Sequence, residues 1–171
     1  NNTLIGNNVG VGADSNSHSN NTAVGSNALL SVTTGSHNVS VGMNSGDAVT
    51  DATYNVFMGY YAGSATTSAV RSVAIGSEAL ETGNHDQTGT VAIGSKSLQR
   101  LTTGVGNVAI GYLSGNEITS AGYSTFIGHN TGLVHTTGGY NIAIGYGAMD
   151  DTNAGNNSLG SAENIFIGVD S

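Results

Sequence analysis

A five-residue pattern recurs along the chain: a small polar residue, a β-branched residue, a small or aromatic residue, a second branched or apolar residue, then glycine. Asn21-Thr22-Ala23-Val24-Gly25, Asn107-Val108-Ala109-Ile110-Gly111 and Asn141-Ile142-Ala143-Ile144-Gly145 are typical copies. Ten copies close on Gly6, Gly25, Gly42, Gly59, Gly76, Gly94, Gly111, Gly128, Gly145 and Gly168, with steps of 19, 17, 17, 17, 18, 17, 17, 17 and 23 residues. A branched triplet that stops at glycine predicts a short strand entering a turn. Seventeen residues cannot enclose a core alone, so the units must stack, each adding a coil about 4.8 Å from the last. The periodicity therefore predicts an all-β chain: one repeat domain over residues 1–171, built as a parallel β-solenoid of about ten 17-residue coils.

Stacking puts equivalent residues above one another. Four positions before each glycine stand Asn2, Asn21, Asn38, Asn55, Ser72, Thr90, Asn107, Ser124, Asn141 and Asn164. Such a column predicts a ladder in which each side chain both donates and accepts. The residues one and three before the glycine share a face and are branched or apolar almost throughout, so they are expected to fill the coil. The residue between them points the other way, yet it too is apolar in most coils. An apolar column on the outside of a rod has to be covered, most simply by other copies of the chain. On this reading Phe57, Ala74, Ala92, Ala109, Phe126, Ala143 and Phe166 are the interface candidates.

Composition narrows the function. The chain holds 27 glycines and no proline, cysteine or tryptophan, which argues against helices and removes disulfides and thiolate sites. A net charge of -8, with only three basic residues, argues against nucleic acid as a partner. No apolar run reaches the roughly 20 residues of a membrane helix, so this segment is not expected to insert into a membrane. Acidic pairs such as Asp47 with Asp51 and Asp150 with Asp151 fall outside the strand triplets, where they read as solubilising charges. The histidines lack ligand spacing. Neither a catalytic centre, nor a cofactor, nor a metal is expected, and the chain reads as non-enzymatic.

Three surface features remain as places for binding. Directly after the glycine stand Tyr60, Tyr112, His129 and Tyr146, the last three on successive coils. Tyr54, Tyr123 and Tyr140 form a second aromatic column just before the Asn position. Rows of exposed tyrosine suit adhesion, because they offer large area for little entropy lost. Loop insertions add His85, Asp86, Asn156 and Asn157, since solenoids often carry insertions on the binding face. The third feature is a file of threonines (Thr33, Thr50, Thr67, Thr102, Thr119 and Thr136), which raises an alternative, an ice-binding solenoid.

The Asn-Val-Ala-Ile-Gly element, with the small-residue step and Ala-Leu that follow it at 28–29 and 79–80, resembles the head repeat of YadA-like trimeric autotransporter adhesins. The resemblance covers essentially the whole chain. It implies a left-handed parallel β-roll, a homotrimer, and a head that attaches to a host-surface glycan or matrix protein. The longer element from Asn20 to Leu29, with Thr33-Thr34-Gly35, is similar to repeats of bacteriophage tail fibres and tailspike shafts. Both resemblances imply an extracellular fibre, on a bacterial cell surface or a virion, of which this chain is a segment. The period is longer than the autotransporter coil, so larger return loops are expected.

Overall fold

A computed structural model describes residues 1–12, 17–82, 88–150 and 161–171. Every triplet identified in the sequence is a strand: β1 Thr3–Ile5, β2 Thr22–Val24, β3 Val39–Val41, β4 Val56–Met58, β5 Val73–Ile75, β6 Val91–Ile93, β7 Val108–Ile110, β8 Thr125–Ile127, β9 Ile142–Ile144 and β10 Ile165–Ile167. They form one parallel sheet in sequence order, so the chain is a β-solenoid. Register is strict, with Ala92 beside Ala109 and Ala109 beside Phe126. The 23-residue step keeps it too, Phe166 lying beside Ala143, so the extra residues are absorbed between strands.

The polar ladder forms as the column predicts. Asn55 donates from its amide and from Nδ2 to Asn38 Oδ1, both at 3.0 Å, and Nδ2 also donates to the Ala69 carbonyl at 2.8 Å. Asn38 repeats this one coil earlier, on Asn21 Oδ1 and the Ala52 carbonyl. The Oδ1 atom ties coil to coil, while Nδ2 caps a carbonyl of the return loop. Ser72 and Ser124 take part with shorter side chains: the Ser72 amide donates to Asn55 Oδ1, and Ser124 Oγ accepts from the Asn141 amide. Asn21, Asn38, Asn55, Asn107 and Asn141 are buried, and these bonds make that burial tolerable.

The strand faces are the reverse of the sequence expectation. Ala23, Ser40, Phe57, Ala74, Ala92, Ala109, Phe126 and Ala143, the middle residues, are fully buried within the single chain. Phe166 is partly buried and packs on the same core. The interface candidates Phe57, Ala74, Ala92, Ala109, Phe126, Ala143 and Phe166 therefore belong to the protomer's own core, where no sister chain can reach the buried ones. The flanking residues point outward: Met58, Ile110, Ile127, Ile142 and Ile144 are exposed, and the flanking residues of β2, β3, β5 and β6 are half-buried.

The physical reason lies across the coil. The residue four after each glycine is Leu29, Leu80, Leu98 or Met149 in coils whose strand has alanine at its centre, and Gly63 or Gly132 in coils that carry phenylalanine. These two positions face each other and share one volume. A Cβ on Gly132 would lie 2.5 Å from Phe126 Cδ1, and one on Gly46 would lie 2.9 Å from Phe57 Cδ2. Each phenylalanine also reaches into the coil before it, where Ser40 with Gly46, and Ala109 with Gly115, leave both sides small. A narrow coil has room for one large side chain, supplied from either wall. Branched Val and Ile on both ends of the triplet would overfill it.

Candidate functional site: aromatic ladders on the rod

Successive coils bring the predicted aromatic column together. Tyr112 and His129 have ring centroids 5.1 Å apart, and His129 and Tyr146 stack at 5.3 Å with planes 16° apart. All three are exposed. Tyr60 occupies the same column further up the rod and meets Tyr61 edge-to-face at 4.5 Å. The spacing follows from coil height and strict register: parallel strands place identical positions one above the other, and stacked aromatic rings find a favourable offset at that distance. The other binding candidates, His85, Asp86, Asn156 and Asn157, lie outside the described residues.

The second aromatic column is more unusual. His37 stacks on Tyr54 at 4.7 Å, the Arg71 guanidinium lies 5.8 Å from the Tyr54 ring centre, and Tyr123 stacks on Tyr140 at 5.3 Å. Every one of these residues has a left-handed backbone, with φ of 56° to 61°. Gly89 and Gly106 fill the same position with φ of 71° and 66°. A bulky residue at such a φ is an outlier and costs on the order of 1 kcal/mol or more. Beside Tyr123 and Tyr140 a groove of about 330 Å³ opens, lined also by Thr103, Ser120, Thr137, Gly104, Val105, Gly122 and Gly139. Among the described residues, no charged side chain lines it.

The charges lie elsewhere. Lys96 pairs with Glu78 at 3.5 Å and Arg100 with Glu117 at 2.7 Å, both partly exposed contacts of the kind worth less than about 1 kcal/mol. Among the described residues, no group of three or more His, Asp or Glu is placed to hold a metal ion. No protein-family model matches the chain, and neither does a curated protein or a solved structure.

The threonine file is spent internally. Thr33 and Thr119 donate from Oγ1 to the Thr50 and Thr136 carbonyls at 3.1 Å, and Thr102 donates to the Thr119 carbonyl at 2.7 Å. Each hydroxyl thereby caps a backbone carbonyl of the next coil.

Among the described residues His135 is the one histidine in the core, fully buried at the position that Leu101 and Ile118 fill in the two preceding coils. Its Nε2 lies 2.6 Å from the Gly138 carbonyl, which makes Nε2 the protonated donor, while Nδ1 is buried with no partner. Burial holds its pKa below the ordinary 6.5, and the bond to Gly138 opposes this in part. The lowered value means that the unfolded chain binds the proton more readily. The resulting stability is complete above about pH 6.5 and is lost as pH falls towards the folded-state pKa, at up to about 1.4 kcal/mol per pH unit. Urea midpoints measured from pH 8 to pH 5 should decline for the wild type, and His135→Leu, which restores the side chain of Leu101, should flatten that decline. Equal slopes in both proteins would refute this origin.

Proposed function

We propose that the chain is a non-enzymatic segment of an extracellular fibre, a rigid β-solenoid that assembles with two further copies of itself and presents its aromatic ladders and loops for attachment. The observation that carries this reading is the outer face of the sheet. Ten in-register strands expose Val39, Val41, Val56, Met58, Val73, Ile75 and their successors down the rod as one continuous apolar stripe, with Ile110, Ile127 and Ile144 each more than a third exposed. No strand residue bears a charge. Soluble monomers avoid an apolar surface of this extent. A second copy carries the same flat face at the same coil spacing, so self-association covers it in register along the whole rod. The threefold arrangement and the left-handed coil follow from the resemblance to the autotransporter heads. Multivalency then supplies durable attachment, because three weak contacts held at high effective concentration act together.

The ice-binding alternative loses support, because the hydroxyls of Thr33, Thr102 and Thr119 already donate to backbone carbonyls. Sedimentation equilibrium tests the fibre reading. The wild type is expected at three times the 17.0 kDa chain mass. Ile110→Asp with Ile127→Asp should release a folded monomer whose far-UV spectrum is unchanged. A wild-type monomer that stays soluble at high concentration would overturn the assembly, and thermal hysteresis in freezing solution would return the ice reading.

A further inference from the structure

The groove beside Tyr123 and Tyr140 has the form of a binding site, and several observations converge on it. Its walls repeat at coil height. One wall is the stacked pair Tyr123 and Tyr140, respectively 59% and 62% exposed. Thr103, Ser120 and Thr137, on three successive coils and all exposed, line it as well. Their hydroxyls make no hydrogen bond to the described residues, in contrast to those of the neighbouring Thr102 and Thr119.

The floor is also distinctive. In the early coils the position six before the glycine is Ser36, Thr53 or Val70, joined from coil to coil by a short second ladder in which the Thr53 amide donates to the Ala69 carbonyl. In the later coils the same position is Gly122 and Gly139. Their amides donate to no acceptor among the described residues, and a Cβ on Gly139 would stand 2.7 Å from the Gly122 carbonyl oxygen, so the backbones of the two coils approach closely here. Tyr123 and Tyr140 have φ of 56° and 60°, the left-handed backbone that this position also takes at Asn20, His37, Tyr54, Arg71 and Glu163, so the turn that carries the two rings is fixed by the coil. Gly106 lets the first ring lie flat, since a Cβ there would stand 3.0 Å from Tyr123 Cδ1.

The geometry points to a binding groove for an extended, uncharged polysaccharide running along the rod axis. This rests on the adhesive reading above and supplies its ligand class. Uncharged follows from a lining without charge on a chain of net charge -8, which repels acidic polymers. Polysaccharide follows from repeat length and chemistry. The groove offers hydroxyls and amides once per coil, about every 4.8 Å, whereas an extended peptide presents like groups every second residue, roughly 6.6 Å apart, and falls out of step. A sugar unit in an extended chain is about as long as one coil is high. Its hydroxyls both donate and accept, as do those of Thr103, Ser120, Thr137 and the tyrosines.

The test titrates the whole chain with neutral cello-, xylo- and chito-oligosaccharides of two to six units, with oligogalacturonides and an extended Gly-Ser-Thr peptide as comparisons, following backbone amide resonances. Affinity should rise with length up to about the three coils of the groove, and the Gly122 and Gly139 amides should shift most. Tyr123→Gly and Tyr140→Gly, each installing the residue that the fold accepts at Gly106, should each weaken binding at least ten-fold, as should Thr137→Val. Lys96→Gln, in the ion pair with Glu78 and outside the groove lining, should leave it unchanged. The proposal fails if no neutral hexasaccharide moves these amides, if Tyr140→Gly binds as tightly as wild type, or if the peptide or the acidic sugars bind better. A trimer that ignores every neutral sugar sinks the groove and leaves the fibre standing. A monomer that binds them at the groove sinks the fibre and keeps the groove.

Discussion

Gly59→Ala is expected to lower stability by about 3–5 kcal/mol, enough to unfold a domain of ordinary stability at room temperature. Gly59 has φ of 139°, and a Cβ there would lie 2.5 Å from the Gly76 carbonyl oxygen and 2.6 Å from its carbon. Both atoms belong to backbone held by the next coil, so neither can turn aside as a side-chain end would. The glycine column from Gly6 to Gly145 has the same crowding, each against its successor, because the chain turns out of the strand where the coils approach most closely. One methyl group must therefore push two coils apart and break the register that the Asn ladder maintains. Urea denaturation followed by circular dichroism gives the answer. A loss below about 1 kcal/mol would mean that the turn has slack the structure does not show.

The second large effect is a pair of substitutions that should repair each other. Phe126→Ala removes a fully buried ring from the coil interior and should cost about 3–5 kcal/mol. Gly132→Leu should also be destabilising, since its Cβ would meet the Phe126 ring at 2.5 Å. The double variant rebuilds the arrangement of Ala92 with Leu98, in which leucine enters from the opposite wall with φ of 46°. It should recover about 2–3 kcal/mol relative to the sum of the single changes, near the upper end of coupling seen between contacting residues. Thermal or urea unfolding of the four proteins closes the cycle. Strict additivity would contradict a shared interior volume.

That same pairing explains where sequence reasoning went astray. Hydrophobicity alone ranks Val108 and Ile110 above Ala109 as core residues, which puts the branched pair in the interior and the small middle residue at an interface. The deciding signal was in the sequence but of another kind. Phenylalanine at the middle of a strand coincides with glycine six positions on, as in Phe57 with Gly63 and Phe126 with Gly132, and leucine or methionine there coincides with alanine, as in Ala74 with Leu80 and Ala143 with Met149. Compensating volumes within one coil identify positions that face each other, whatever their hydrophobicity.

The sequence by itself determined the repeat, the ten strands, their parallel stacking and the polar ladder, because register in a solenoid is set by periodicity and each coil needs only its neighbours. It also placed Tyr112, His129 and Tyr146 one above another, since equal spacing along the chain becomes vertical alignment in space. Only the tertiary structure decided which side of each strand is inside, because that depends on how much volume the closed coil encloses and not on the polarity of any one residue. It alone showed the left-handed backbone of Tyr123 and Tyr140 and the groove beside them, which arise where return loops from three coils meet. Loop conformation answers to contacts between coils, and a linear pattern does not record those.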